Sequence, residues 1–230
     1  MIPIRDDQPH FITPVVNYFL IVLNLVIYFF QAMLPPDSGK LLVFQFGLIP
    51  SHVTALLGGA HVAAPAVVLV PFLTSMFLHG SWLHVIGNMW FLWIFGDNVE
   101  DYFGHFTYLV FYLLSGLAAG LTQVAFTPHM RVPTIGASGA IAGVLGAYFI
   151  LYPRARVLTW LVFLFYLPAW VILGYWFLVQ FLSARASSLS YAANNSGGVA
   201  FWAHVGGFIA GFLMVWIFPR RQQRQRYGTW

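Results

Sequence analysis

Long apolar runs broken by short polar stretches set the pattern of this chain of 230 residues. A run of about 20 apolar residues is long enough to cross a bilayer as a helix. The first covers 13–33, with Pro14 near its start, where a missing amide donor is harmless. Asn17 and Asn24 lie close to one face of that helix and are predicted to face protein rather than lipid. The stretch 34–70 is too broken to span and too apolar to lie free in water, so it is read as a partly helical loop in the interface. Further spans are predicted over 82–99, 104–126, 136–151, 157–182 and 198–218. The fourth is short: at 1.5 Å rise per residue it covers only ~24 Å of a ~30 Å core. Non-helical backbone must then dip into the membrane at one end, which is tolerated only beside protein or a water-filled cavity. The pattern therefore predicts an all-α polytopic membrane protein, one domain over 1–230, with six transmembrane helices and a short central one.

Composition supports that class. The chain is 60% hydrophobic and 19% aromatic, and only 7% of it is charged, against about 25% in soluble domains. Cysteine is absent, which removes disulfides, thiol nucleophiles and thiolate metal sites. The formal net charge of +4 is concentrated in clusters at 154–156 and 220–226, beside apolar segments, where basic residues act as topology signals. Six spans place Arg5, Arg154, Arg156, Arg220, Arg221, Arg224 and Arg226 on one side, seven of the ten basic residues, and Lys40, Arg131 and Arg185 on the other. The positive-inside rule then puts both termini in the cytoplasm. The first apolar run is too long for a typical signal peptide and is read as a retained span. No internal repeat is evident, which weighs against an inverted-repeat transporter.

Polar residues inside the spans carry the candidate chemistry. Spans two, four and six all begin on the side opposite the termini. His84 and Asn88, four apart on one face, lie near the start of span two; Ser138 lies near the start of span four. His204 lies about six residues into span six, ~9 Å deep. All four converge on one layer in the outer half of the membrane. A serine hydroxyl becomes a nucleophile only when a base takes its proton, and His204, the sole histidine of span six, is the candidate base. Asn88 offers an amide NH2 and His84 a ring N–H to a developing oxyanion, beside the backbone N–H of Ser138 at the mouth of a helix. No acidic residue occupies the outer half of any span, so the sequence permits a Ser–His dyad without a carboxylate. Taken alone, a serine such as Ser138 is more often a small residue at a helix contact, and Gly139, Gly143, Gly207 and Gly211 are packing notches in either case. Those notches let spans four and six approach until Ser138 and His204 touch. His79, just outside span two, either braces a loop or takes part in chemistry. His10, His52, His61, His105 and His129 are read as structural or solvated, and the tryptophans, Trp176 among them, mainly as interface anchors and lipid-facing bulk.

With those residues on the page, the chain resembles the rhomboid family of intramembrane serine proteases, of the bacterial six-helix type. The resemblance runs from the first span to the last. It rests on His79, His84 and Asn88 in FLHGSWLHVIGNM, on Gly136-Ala137-Ser138-Gly139, and on Ala203-His204 followed by Gly207 and Gly211. It implies Ser138 as nucleophile, His204 as general base, and an oxyanion hole of Asn88, His84 and the backbone at Gly136 and Ser138. His79, Gly139, Gly207 and Gly211 are implied in support. It implies cleavage of single-span membrane proteins in the outer half of a bilayer, with no metal, no cofactor and no nucleic acid. It further implies a multi-pass protein of the bacterial inner membrane, with the site open to the periplasm or exterior. Two departures stand out: Ala142 takes the place of an aromatic residue that braces the histidine in some relatives, and 34–70 lacks their Trp-Arg pair. Phe201, Trp202 and Phe208 are the candidate replacements for the brace. Competing readings are a non-catalytic rhomboid-like protein that binds membrane clients, and a transporter, whose polar residues would continue through the inner half.

Overall fold

The computed structural model describes residues 1–60, 63–194 and 199–221. In chain order these form β1 (Ile2–Asp6), α1 (Val15–Met33), α2 (Pro36–Phe46), α3 (Pro50–Leu57), α4 (Pro65–Leu69), α5 (Pro71–Thr74) and a 3-10 turn (Ser75–Phe77). Then follow α6 (Trp82–Phe103), α7 (His105–Phe126), α8 (Ser138–Leu151), β2 (Arg156–Trp160), β3 (Leu164–Pro168), α9 (Ala169–Asn194) and α10 (Phe201–Met214). Helix predominates. Among the described residues three helices are long and apolar enough to cross a membrane: Val15–Met33, His105–Phe126 and Ala169–Ser188. The pair Pro65–Phe77 and Trp82–Phe103, bent by 75°, counts as a fourth if it is one span, and α8 and α10 are shorter apolar helices.

α8 is the axis of the bundle. Gly139 through Tyr148 are buried without interruption, which an amphipathic helix could not achieve; a helix apolar all round belongs at the centre. α10 and α7 pack most closely on it, with α6 on another side and α9 touching it lightly. Small residues make the approach possible. A methyl group added at Gly207 would collide with the Gly139 carbonyl oxygen, and one at Gly211 with the Gly143 carbonyl oxygen. The two helices therefore meet backbone to backbone, the arrangement that small residues four apart permit.

One end of the bundle gathers five of the six acidic residues of the chain, and they tie down the segment before α1 and Arg221 after α10. Glu100 is fully buried and accepts from the backbone N–H groups of Val16 (3.0 Å) and Asn17 (2.7 Å). Those are first-turn donors of α1 that no carbonyl of their own helix can reach, so Glu100 caps α1 from α6. Asp101 accepts from the Ile12 N–H and from Arg221, just beyond α10. Asn17 donates to the Leu92 carbonyl and accepts from Tyr108, so it faces protein, and Asn24 is likewise buried.

The expected fifth span, 157–182, requires correction, and with it the all-α class. Residues 156–160 and 164–168 are the strands β2 and β3, and helix begins only at Ala169. β2 pairs antiparallel with β3 on one side and with β1 on the other, in the order β1-β2-β3. The hairpin is rich in β-branched and aromatic residues, and Pro168 closes it at the last strand position, where the N–H it lacks is not needed. Asp7 accepts from the Arg156 guanidinium at 2.9 Å, and the Trp90 indole donates to the Pro3 carbonyl at 2.7 Å, so the sheet lies against α6. The segment 34–70 is partly helical, as the pattern anticipates.

Replacing Glu100 with Ala leaves the buried Asn17 N–H and the partly buried Val16 N–H unpaired. It should lower stability by about 2–4 kcal/mol, seen as a lowered thermal unfolding midpoint in detergent micelles. Burial pushes the Asp6 carboxyl from 3.8 up to about 6, although the Tyr148 hydroxyl that donates to it pulls the other way. A folded value above the unfolded one means that its stabilising contribution is complete below pH ~4 and is lost as the pH rises through ~6. Asn keeps the neutral form at every pH, so the unfolding midpoint of wild type should fall relative to that of Asp6→Asn as the pH rises from 4 to 8; parallel curves would count against this.

Candidate active site

The loop 127–137 delivers Ser138 to the mouth of α8. Leu48 and Thr134 exchange backbone hydrogen bonds at 3.0 and 2.8 Å, and the Gly136 N–H donates to the Ser75 carbonyl at 2.9 Å. Gly136 has φ +125, a conformation that side chains resist. A Cβ there would also stand 2.8 Å from His84 Nε2. Glycine thus serves both the turn and the approach of the ring. Because its N–H is committed to Ser75, Gly136 is no free oxyanion donor, which corrects the expectation placed on it. Ser138 is the first residue of α8, so its own N–H has no carbonyl one turn back to bond.

His204 Nε2 lies 2.7 Å from Ser138 Oγ, and the ring's other nitrogen, Nδ1, lies 2.7 Å from Gln180 Oε1. The histidine is 8% exposed. The aromatic neighbours of its ring are Trp176 (centroids 5.9 Å apart) and Phe201 (6.3 Å, edge-on). Of the proposed braces, Phe201 is therefore in place. Trp202 instead stacks on Phe126 and donates to Ser188, while Phe208 packs on Phe177 and Trp176. Trp176, expected as an interface anchor or lipid-facing bulk, is instead half-buried beside the histidine because α9 turns that face inward.

His84 and Asn88 face the same space. Ser81 caps α6 by accepting from the His84 N–H at 3.1 Å. The Gly80 N–H donates to His84 Nδ1 at 3.3 Å, which leaves the ring hydrogen on Nε2, directed at Gly136. Asn88 is buried, and its Nδ2 has no hydrogen-bond partner among the described residues. An unpaired buried amide costs about 1–3 kcal/mol, a cost that a ligand oxygen would remove. His79 is fully buried, braces the loop through its backbone bonds with Gln31, and approaches the Ala137 N–H at 3.5 Å. It sits edge-on to His84, with centroids 5.0 Å apart. A cavity of about 520 Å³ opens over these groups, lined by His84, Asn88, Ser138, Trp176, Gln180 and His204 with apolar residues between them. Among the described residues no three His, Asp or Glu side chains gather as metal ligands would. Sequence reasoning missed Gln180. The available signal was an amide alone near the end of an apolar run.

A family model described as the rhomboid domain matches residues 66–221. The chain belongs to the rhomboid family. Similar curated rhomboids include the mitochondrial rhomboid protein 1 of Saccharomyces cerevisiae, 31% identical over 68% of this chain and 44% of its own length. The chloroplastic rhomboid-like protein 11 of Arabidopsis thaliana is 30% identical over 65% of this chain and 52% of its own. The rhomboid protease GluP of Bacillus subtilis is 32% identical over 61% of this chain and 24% of its own. This rhomboid thus spans about half or less of the length of those relatives. The matched region contains His79, His84, Asn88, Ser138, Gln180 and His204, while Gln31 and Leu48, which hold the surrounding loops, precede it.

Gly211→Ala in this rhomboid drives a methyl into the α8 backbone, which cannot yield as a side chain would. The overpacking should cost about 1–3 kcal/mol and lower the unfolding midpoint by about 2–10 °C. Gly174→Ala, whose methyl would meet only Phe149 at 3.7 Å, should leave the midpoint within a degree or two.

Proposed function

We propose that this rhomboid is an intramembrane serine endopeptidase in which Ser138 is the nucleophile and His204 the general base. The observation that carries the reading is the 2.7 Å approach of His204 Nε2 to Ser138 Oγ at the floor of a cavity. Proton transfer needs a base within hydrogen-bond reach, and this one is within reach before any substrate binds. The hydroxyl oxygen attacks a peptide carbonyl while its proton passes to Nε2. The resulting oxyanion takes hydrogen bonds from Asn88 Nδ2, the His84 Nε2–H and the Ser138 N–H. His204 then gives its proton to the leaving amine; a water molecule, deprotonated by the same nitrogen, attacks the acyl carbon, and as the bond to Oγ breaks that proton passes from Nε2 back to Ser138.

In this reading the bundle crosses the bilayer six times, with α8 and α10 as the two short spans and both termini on the cytoplasmic side. The site opens toward the periplasm or exterior of a bacterial inner membrane. Substrates are single-span membrane proteins that enter sideways from lipid and unwind locally, since a helical carbonyl is already hydrogen-bonded. Lipid covers the exposed apolar faces of α1, α6 and α9, where Phe19, Phe29, Trp93 and Trp170 are all at least half exposed. A protein that only bound membrane clients would need neither the Ser138–His204 approach nor the unpaired Asn88 amide.

The test is cleavage of a panel of single-span reporters by purified protein in liposomes, together with labelling by a fluorophosphonate. Ser138→Ala and His204→Ala, each checked for folding, should lose cleavage by about 10³-fold or more. Asn88→Ala should lose about 10²-fold or more, mainly in kcat. Folded wild type that neither cleaves nor takes up the label on Ser138 would transfer the weight to client binding.

A further inference from the structure

The His204 ring is held by both nitrogens. Ser138 Oγ stands at Nε2 and Gln180 Oε1 at Nδ1, each at 2.7 Å. Gln180 comes from α9, a different helix from either partner, and its side chain lines the cavity. A neutral imidazole carries one hydrogen, and the partner of one nitrogen decides which nitrogen keeps it. A carbonyl oxygen can only accept, so Gln180 Oε1 at Nδ1 requires the hydrogen there and leaves the Nε2 lone pair facing the serine. The opposite tautomer would put N–H on Nε2, and the Ser138 hydroxyl could then only accept from it.

An amide can turn over and present its NH2 instead. It would then donate to Nδ1 and force the unproductive tautomer, so the amide orientation and the chemistry at Ser138 are one question. Five of the six acidic residues lie at the other end of the bundle, and Asp37 on α2 has a fully exposed side chain. The place that a carboxylate fills in a Ser-His-Asp arrangement is therefore taken here by a neutral oxygen.

We infer that Gln180 is the positioning residue of the site, holding His204 as the Nδ1–H tautomer with Nε2 free to take the Ser138 proton. The inference rests on the protease reading. During the step, the Ser138 Oγ–H bond breaks as Oγ bonds to the substrate carbonyl carbon, and the proton joins Nε2. The ring, now protonated on both nitrogens, keeps its Nδ1–H on Gln180 Oε1 in a charge-assisted bond that is stronger than before. The neutral amide thus acts most in the transition state, where the ring gains charge.

The variants Gln180→Met and Gln180→Glu separate this from packing. Met keeps the volume and removes the acceptor; Glu keeps the acceptor and adds charge. Positioning predicts that Gln180→Met lowers kcat about ten- to a hundredfold, with KM changed less than threefold, and that Gln180→Glu retains more kcat than Met. Packing alone predicts the reverse order, Met near wild type and Glu the poorer. The nitrogen chemical shifts of the His204 ring, assigned by comparison with His204→Ala, should report Nδ1–H in wild type and a shift toward Nε2–H in Gln180→Met. Gln180→Met is expected to fold, so the test does not depend on the Glu variant. Active wild type with Gln180→Met within twofold in kcat would overturn the inference and leave the protease reading intact. Wild type that neither cleaves the reporters nor labels on Ser138 would overturn both.

Discussion

The contact on which the rest depends is the backbone-to-backbone meeting of α8 and α10. Carbonyl oxygens of Gly139 and Gly143 occupy the space that side chains would take at Gly207 and Gly211. In hydrocarbon no hydrophobic force draws helices together, so close packing must supply the attraction. Here that packing fixes a distance as well. Ser138 sits one residue before Gly139, and His204 three residues before Gly207, so the register that seats the glycines also seats the hydroxyl on the imidazole. A helix pair held apart by alanines would keep the same residues and lose the reach.

A second regularity is that the site is built from neutral groups. The Gly80 N–H fixes the His84 ring, Gln180 meets His204, and Asn88 waits with an unused donor. An ion pair taken out of water faces a desolvation cost that its own attraction often fails to offset. The acidic residues do occur in numbers, but at the far end, where backbone N–H groups, Arg156 and Arg221 satisfy them. They hold β1, α1 and the segment after α10 in place. Charge serves architecture at one end of the bundle, and uncharged hydrogen bonds serve the cavity at the other.

Much of this was legible because polar residues in apolar runs are informative. His84 and Asn88 share a face of α6, and Ser138 and His204 lie near the starts of their helices, so depth alone brought them to one layer. The first and third spans match α1 and α7 within two residues at each end. The run 157–182 was opaque for a physical reason: when nearly every position is apolar, a period of 2 and one of 3.6 look alike. Only Pro168 marked the change from strand to helix, and β1, which completes the sheet, lay outside any run. Gln180 was hidden differently. Its partner is 24 residues away on another helix, and no spacing rule joins an amide on α9 to a ring on α10. Gly136 was read as a donor from its place in the motif, whereas the Ser75 carbonyl claims its N–H.

α9 connects these themes. Its first turn is pinned, with Ala169 and Trp170 donating to the Ala155 and Pro153 carbonyls. Farther along it packs along α10 and only lightly on α8, with Leu178 and Phe181 exposed. That same stretch carries Trp176 and Gln180, a wall of the cavity and a partner of the histidine. Beyond that stretch α9 is held again, with Ala184 buried against Trp202 and Val205 and Ser188 accepting from the Trp202 indole, so Gln180 lies between two points of attachment. Any outward displacement of α9 that widened the cavity would also withdraw Oε1 from Nδ1. Since the Ser138–His204 distance is set by α8 and α10, it would survive such a movement; the ring orientation would not. Two properties that a dyad is usually granted together, proximity and tautomer, are thus supplied by different helices in this bundle.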